Sequence, residues 1–141
     1  MTAKLTTADY PLSEKRPELI EGQRGKRLDE LTLERLVAGE VTLEDLRITP
    51  EALRLQGEIA QAAGRPTLAQ NFERAAELAD VPQDVIMRIY ELLRPGRAQS
   101  KDDLLAAARE LRETYGANRM AAFVEEAAQV YEARGLFVRR Y

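Results

Sequence analysis

From residue 50 onward, apolar positions recur at helical spacing between prolines and glycines, a pattern that predicts a series of amphipathic helices. Thr49 suits an N-cap with Pro50 at the first helical position, and Leu53, Ile59, Ala60 and Ala63 mark the apolar side of a helix that stops at Gly64. Pro66 restarts the pattern, with Leu68, Phe72, Ala75 and Ala79 forming a stripe while Asn71, Glu73, Arg74 and Glu77 point elsewhere. Pro82 opens the next helix, whose Val85, Ile86, Ile89, Tyr90, Leu92 and Leu93 make the most apolar stripe in the chain before Pro95 and Gly96 stop it. The centre of the core is expected there. Ser100 and Asp103 have the form of a capping box ahead of Leu104, Ala108, Leu111, Tyr115 and the stop at Gly116. A last helix over 118–134 carries Met120, Phe123, Val124, Ala127, Val130 and Tyr131 on one side, with Gly135 past its end. Between 32 and 46 two short helices are expected, capped by Thr32 and Thr42 and separated by Gly39. No strand alternation competes, so the expected fold class is all-α, a compact bundle of about five main helices preceded by short ones.

The first thirty residues break this rhythm. Pro11, Pro17, Gly22 and Gly25 interrupt any period, yet Tyr10, Leu12, Leu19 and Ile20 are apolar. A structureless stretch longer than about 12 to 15 residues is unusual inside a compact domain. Residues 1–30 are therefore expected to be an extended arm laid along a partner, with Tyr10, Leu12, Leu19 and Ile20 at the interface. The single helical domain is placed at 31–135 and a short tail at 136–141.

Composition narrows the chemistry. The chain has 141 residues, room for one core, and its 24 acidic and 21 basic residues are interspersed to a net charge of -3. That distribution offers no large field for nucleic acid or an anionic membrane. Cysteine and histidine are both absent, which removes the residues that most often act as nucleophile, general base or transition-metal ligand. The lysines, Lys4, Lys15, Lys26 and Lys101, lie in no strongly apolar stretch that would depress a pKa. No apolar run approaches a membrane span and the N-terminus lacks the order of a signal peptide, so a cytoplasmic location is expected.

Three constellations invite a functional reading. Gly22-Gln23-Arg24-Gly25-Lys26-Arg27 resembles a phosphate-gripping loop but lacks the spacing of a P-loop and its preceding strand, so it reads as a basic turn. The pairs Glu125 with Glu126, Asp102 with Asp103, and Glu44 with Asp45 occupy adjacent helical positions about 100° apart. They read as solvated surface or first-turn charge, without catalytic acid and base roles. Arg88, Arg94 and Arg97 cluster around the end of the most apolar helix, either as complements to its C-terminus or as partners for another chain's carboxylates.

A further set of residues carries a family resemblance: Asp9-Tyr10-Pro11-Leu12 with Pro17-Glu18, Gly25-Lys26, Thr32-Leu33-Glu34, Gly39-Glu40-Val41, and Asp45, Arg47 and Ile48. It continues through Asn71-Phe72 with Arg74-Ala75-Ala76-Glu77-Leu78, Ile89-Tyr90 with Leu93-Arg94-Pro95, Ala121-Ala122-Phe123-Val124 and Val130-Tyr131. In these residues, from about 9 to 134, the chain resembles the small (gamma) subunit of adenosylcobalamin-dependent diol and glycerol dehydratases. The resemblance implies an enzyme that converts 1,2-propanediol, glycerol or 1,2-ethanediol to an aldehyde with loss of water by radical chemistry. It implies that large and medium subunits bind adenosylcobalamin, that this chain binds no cofactor or metal and carries no catalytic residue, and that two copies of each of three subunits assemble. Family members of bacterial microcompartments often carry an N-terminal packaging extension. Only eight residues precede Asp9 here, so entry into a shell is expected through partner subunits. Two other readings compete, a free-standing helical adaptor for a peptide or regulatory protein and an independent carboxylate enzyme. The second requires convergent acids that no set in the chain supplies.

Overall fold

The computed structural model describes residues 3–137 and is all-α. Among these residues no strand forms, and one isolated antiparallel bridge joins Glu21 to Arg27. Eight α-helices follow in chain order: α1 (Leu12–Lys15), α2 (Leu33–Val37), α3 (Leu43–Leu46), α4 (Pro50–Ala62), α5 (Pro66–Leu78), α6 (Gln83–Leu93), α7 (Lys101–Tyr115) and α8 (Asn118–Ala133). Tight 3-10 turns at Thr7–Asp9, Pro17–Leu19 and Leu28–Glu30 complete the N-terminal third. The chain divides into two compact units, Met1–Ala79 and Asp80–Tyr141, where the sequence had suggested one helical domain over 31–135.

In the first unit α4 and α5 form a helical hairpin. Thr49 caps α4 by accepting the Ala52 N–H at 3.1 Å, and Pro50 occupies the first turn as its missing donor and fixed φ favour. The turn closes through Gly64 at φ 71°, with Arg65 N–H donating to Ala60 C=O at 2.9 Å, and Pro66 then starts α5. On α5 Ala69 and Ala76 are buried, Leu68 is exposed and Phe72 is only partly buried. The expected stripe of Leu68, Phe72, Ala75 and Ala79 is thus rotated. Gly57 lies close to Phe72 Cβ and the Ala69 carbonyl, so small residues sit at the contact and the larger ones flank it.

Residues 5–20 run against this hairpin as short turns. Leu5 and Leu12 are buried with Ile59, and Leu19, Ile20 and Leu55 pack around them. Leu5 N–H donates to Glu58 Oε2 at 3.0 Å. Thr6 and Asp9 cap each other, Thr6 N–H donating to Asp9 Oδ2 at 2.8 Å, and Arg16 bridges Asp9 at 3.1 Å and Glu18 at 2.6 Å. The extended-arm expectation is corrected here, because local caps satisfy the backbone that lacks a helical period, and the apolar side chains have a groove of the same chain to fill.

The second unit is built on α7 and α8. Ser100 Oγ accepts the Asp103 N–H at 3.3 Å while Asp103 Oδ2 accepts Ser100 N–H at 3.1 Å, the reciprocal cap that the sequence predicts. Gly116 at φ 65° ends α7, with Ala117 N–H donating to Leu111 C=O at 2.9 Å. Leu104, Ala108, Leu111, Ala121, Val124 and Ala128 are inaccessible to solvent. The core therefore centres on α7 and α8. Helix α6, expected at the centre, buries Val85 and Ile89 but leaves Met87 and Tyr90 half-exposed. Tyr131 donates its hydroxyl to Leu93 C=O, and ion pairs Arg88–Glu110, Lys101–Glu132 and Arg112–Glu125 tie the helices at 2.7, 2.7 and 2.5 Å.

Candidate functional site

A concave feature lies in the first unit, a cleft of about 980 Å³ between the N-terminal turns, residues 45–49, and the α4–α5 hairpin. Its wall is mainly apolar: Leu12, Ile59 and Ala60 form the floor, and Tyr10, Leu28, Leu46, Ile48 and Leu68 stand at exposed positions around it. Covering such an apolar rim would remove it from water.

One polar device shapes this region. Arg24 donates from Nε to Asp45 Oδ1 at 2.7 Å and from Nη2 to Asp45 Oδ2 at 2.5 Å, and its Nη2 also donates to the Glu40 carbonyl at 2.9 Å. Asp45, in the first turn of α3, accepts the Thr42 N–H at 2.8 Å with the same Oδ2. Its side chain is fully buried. The Arg24 hydrogen bonds, with that backbone N–H, hold its carboxyl down to about 2 against the opposing effect of burial. The basic turn at 22–27 is thus a clamp: Gly22 N–H donates to Lys26 C=O at 2.8 Å, Gly25 takes φ 76°, and Arg24 reaches out to fasten α3. Gly22 presses against the Asp45 carbonyl, leaving no room for a Cβ. Glu44 with Asp45 was expected as solvated surface or first-turn charge. Asp45 is a first-turn cap but is withdrawn from solvent, a burial that one sequence cannot reveal because its partner lies 21 residues away.

The other expected residues are scattered. Tyr10 is 69% exposed at the cleft, Leu12 is buried, and Leu19 and Ile20 are partly buried. Arg88 donates from Nη2 to both carboxylate oxygens of Glu110 across α6 and α7, whereas Arg94 pairs with Glu91 at 3.0 Å and Arg97 lies 3.9 Å from the same carboxylate. The three arginines are therefore surface ion pairs first. Asp103 caps α7 and Glu125 binds Arg112, so neither joins an acid-base pair. No group of three or more His, Cys, Asp or Glu side chains that would hold a metal occurs among the described residues. Nor is any helix among them long and apolar enough to cross a membrane.

Sequence reasoning placed two short helices within 32–46 but gave their aliphatic side chains no role. Leu33, Leu36, Val37, Leu43, Leu46 and Ile48 are all exposed, and α2 buries no residue at all. The available signal was a surplus of aliphatics on helices too short to have a buried face.

Residues 5–137 match the dehydratase small subunit family. The chain is 54% identical over 133 residues to the propanediol dehydratase small subunit of Citrobacter freundii, covering 94% of this chain and 76% of the relative. It is 53% identical over 127 residues to the propanediol dehydratase small subunit of Salmonella typhimurium, covering 90% and 73%. With the match extending through both compact units, the chain belongs to the dehydratase small subunit family.

Proposed function

We propose that this chain is the non-catalytic small subunit of a propanediol dehydratase, supporting assembly of the large and medium subunits that convert 1,2-diols, glycerol among them, to aldehydes with loss of water. The observation that carries this reading is the family match along nearly the whole described chain. The carboxylates weighed as acid and base partners, Asp45, Asp103 and Glu125, are each engaged by a cap or an arginine, which supports the non-catalytic part. Adenosylcobalamin belongs in this reading to the partner subunits. In support of that placement, the chain has no imidazole to offer cobalt, and Asp45, the one buried charged side chain among the described residues, is committed to Arg24. We place the assembly, with two copies of each subunit, in the cytoplasm.

Of the interface residues expected from sequence, Tyr10 keeps that role in this proposal, as do Arg88, Arg94 and Arg97 through their half-exposed guanidiniums. Leu12 does not, because Ile59 already covers it, and Leu19 and Ile20 offer only an edge. Co-expression with tagged large and medium subunits tests the reading. All three should co-elute, and omitting this chain should lower the yield of active, cobalamin-loaded enzyme. Elution of this chain alone would favour the free-standing adaptor.

A further inference from the structure

The segment from Arg27 to Ile48 is bound closely within itself. Thr32 accepts the Arg35 N–H at 3.3 Å and Asp45 Oδ2 accepts the Thr42 N–H at 2.8 Å. Its ion pairs also close inside it: Arg27 with Asp29 at 3.4 Å, Arg35 with Glu30 at 3.1 Å and Arg47 with Glu44 at 3.4 Å. Little of it is packed, since from Thr32 to Ile48 only Val41 and Asp45 are buried. Side chains of the neighbouring turn reach across to hold it. Gln23 donates from Nε2 to Ile48 C=O at 3.0 Å, and Arg24 donates to Glu40 C=O at 2.9 Å and to both carboxylate oxygens of Asp45. Helices of five and four residues have no stability of their own. With so little apolar area buried, α2 and α3 stay formed through these polar ties and Val41. Leu28, Leu31, Leu46, Arg47 and Ile48 of the same segment make one wall of the cleft whose floor includes Ile59 and Ala60.

We propose that residues 27–48 are a strap along the apolar cleft, latched by Arg24 on Asp45, which opens as one unit while α4 and α5 stay folded. Opening breaks the Gln23 and Arg24 hydrogen bonds and withdraws Val41, but spares the cluster of Leu5, Leu12 and Ile59 on the hairpin. It exposes a small part of the buried apolar surface and so needs less free energy than unfolding of the hairpin. Arg24 is half-exposed, so water is at hand to take over its guanidinium as the latch parts. Once released, α2 and α3 lose their helical hydrogen bonds together. This motion belongs to the chain itself and does not depend on the small-subunit reading.

Native-state hydrogen exchange of the full chain tests this, with thiol labelling beside it. The amides of Leu36, Ala38, Val41 and Asp45 are hydrogen-bonded within the segment. They should be protected, yet exchange about ten-fold or more faster than amides at the centres of α4 and α5, with little dependence on added denaturant. Ala76 on α5 is buried and lies outside the cleft lining, so Ala76→Gly should speed exchange in α4 and α5 by about five-fold and leave 32–48 unchanged. Arg24→Gln should speed exchange in 32–48 by about ten-fold or more. The chain has no cysteine, so Ala60→Cys reports the cleft floor alone. Its labelling by a neutral thiol reagent should quicken with Arg24→Gln and not with Ala76→Gly. Equal protection in 32–48 and α4, with one shared response to Ala76→Gly, would make a single cooperative block of them and overturn the proposal. Exchange of 32–48 at the rate of an unstructured peptide, or no response there to Arg24→Gln, would overturn it too. Should Arg24→Gln fail to fold, the wild-type and Ala76→Gly profiles still decide.

Discussion

A carboxylate stripped of water needs its lone pairs occupied, and Asp45 meets that condition through Arg24 and the Thr42 N–H. Because its folded-state pKa lies below the ordinary 3.8, at about 2, the ionised form is favoured by folding. The resulting stability is fully present above about pH 4 and is lost as pH falls through about 2. Asp9, Glu18 and Glu30 are shifted in the same direction, Asp9 and Glu30 mainly by backbone N–H groups and Glu18 mainly by Arg16. The wild-type chain should thus lose stability between about pH 4 and pH 2, and Asp45→Asn should lower the melting temperature at pH 7 by more than at pH 2. An equal loss at both values, measured by thermal melts across that range, would deny the clamp its ionic character. Gly22→Ala should cost about 1 to 3 kcal/mol, since the added methyl group meets the Asp45 backbone. Denaturant titration measures it, and the loss should exceed that of Gly25→Ala relative to a helical glycine substitution only if contact outweighs backbone strain.

Helices differ in how far their apolar stripes became core. Leu111 on α7 is inaccessible to solvent, so Leu111→Ala should cost about 2 to 5 kcal/mol. Phe72 on α5 lines the cleft and is partly exposed, so Phe72→Ala should fall below the roughly 3 to 5 kcal/mol of a buried phenylalanine. Chemical denaturation of the two variants checks the ordering, and a larger loss at Phe72 would mean that the cleft is closed in solution. The N-cap at Thr42, the capping box at Ser100 and the stops at Gly64 and Gly116 were legible because cap chemistry is local. The facing of α5 and α6 was not, because a periodic stripe marks a side of a helix without saying which neighbour, if any, covers it.

For the molecule as a whole, the N-terminal residues matter most. Leu5 and Leu12 complete the cluster around Ile59, so deleting residues 1–25 should expose Ile59 and Leu55 and remove Arg24 from Asp45. Loss of helical circular dichroism and of amide protection in α4 and α5 is the expected outcome. Full retention of both would return these residues to the role of a detachable arm. Under the proposed function, the isolated chain should bind no adenosylcobalamin and dehydrate no diol. Gel filtration followed by the cofactor's absorbance, together with an aldehyde assay, checks both.

Sequence alone determined the helical class, the positions of the long helices and their caps, because these depend on spacing and on residues within a turn of one another. The family was also legible, carried by motifs spread from Asp9 to Tyr131. Tertiary structure decided the rest: that residues 5–20 pack on their own hairpin, that Asp45 is buried beneath Arg24, and that the aliphatics of α2 and α3 face water. Each depends on which distant segment reaches a side chain, and a hydrophobic pattern records that a residue seeks cover without recording who provides it.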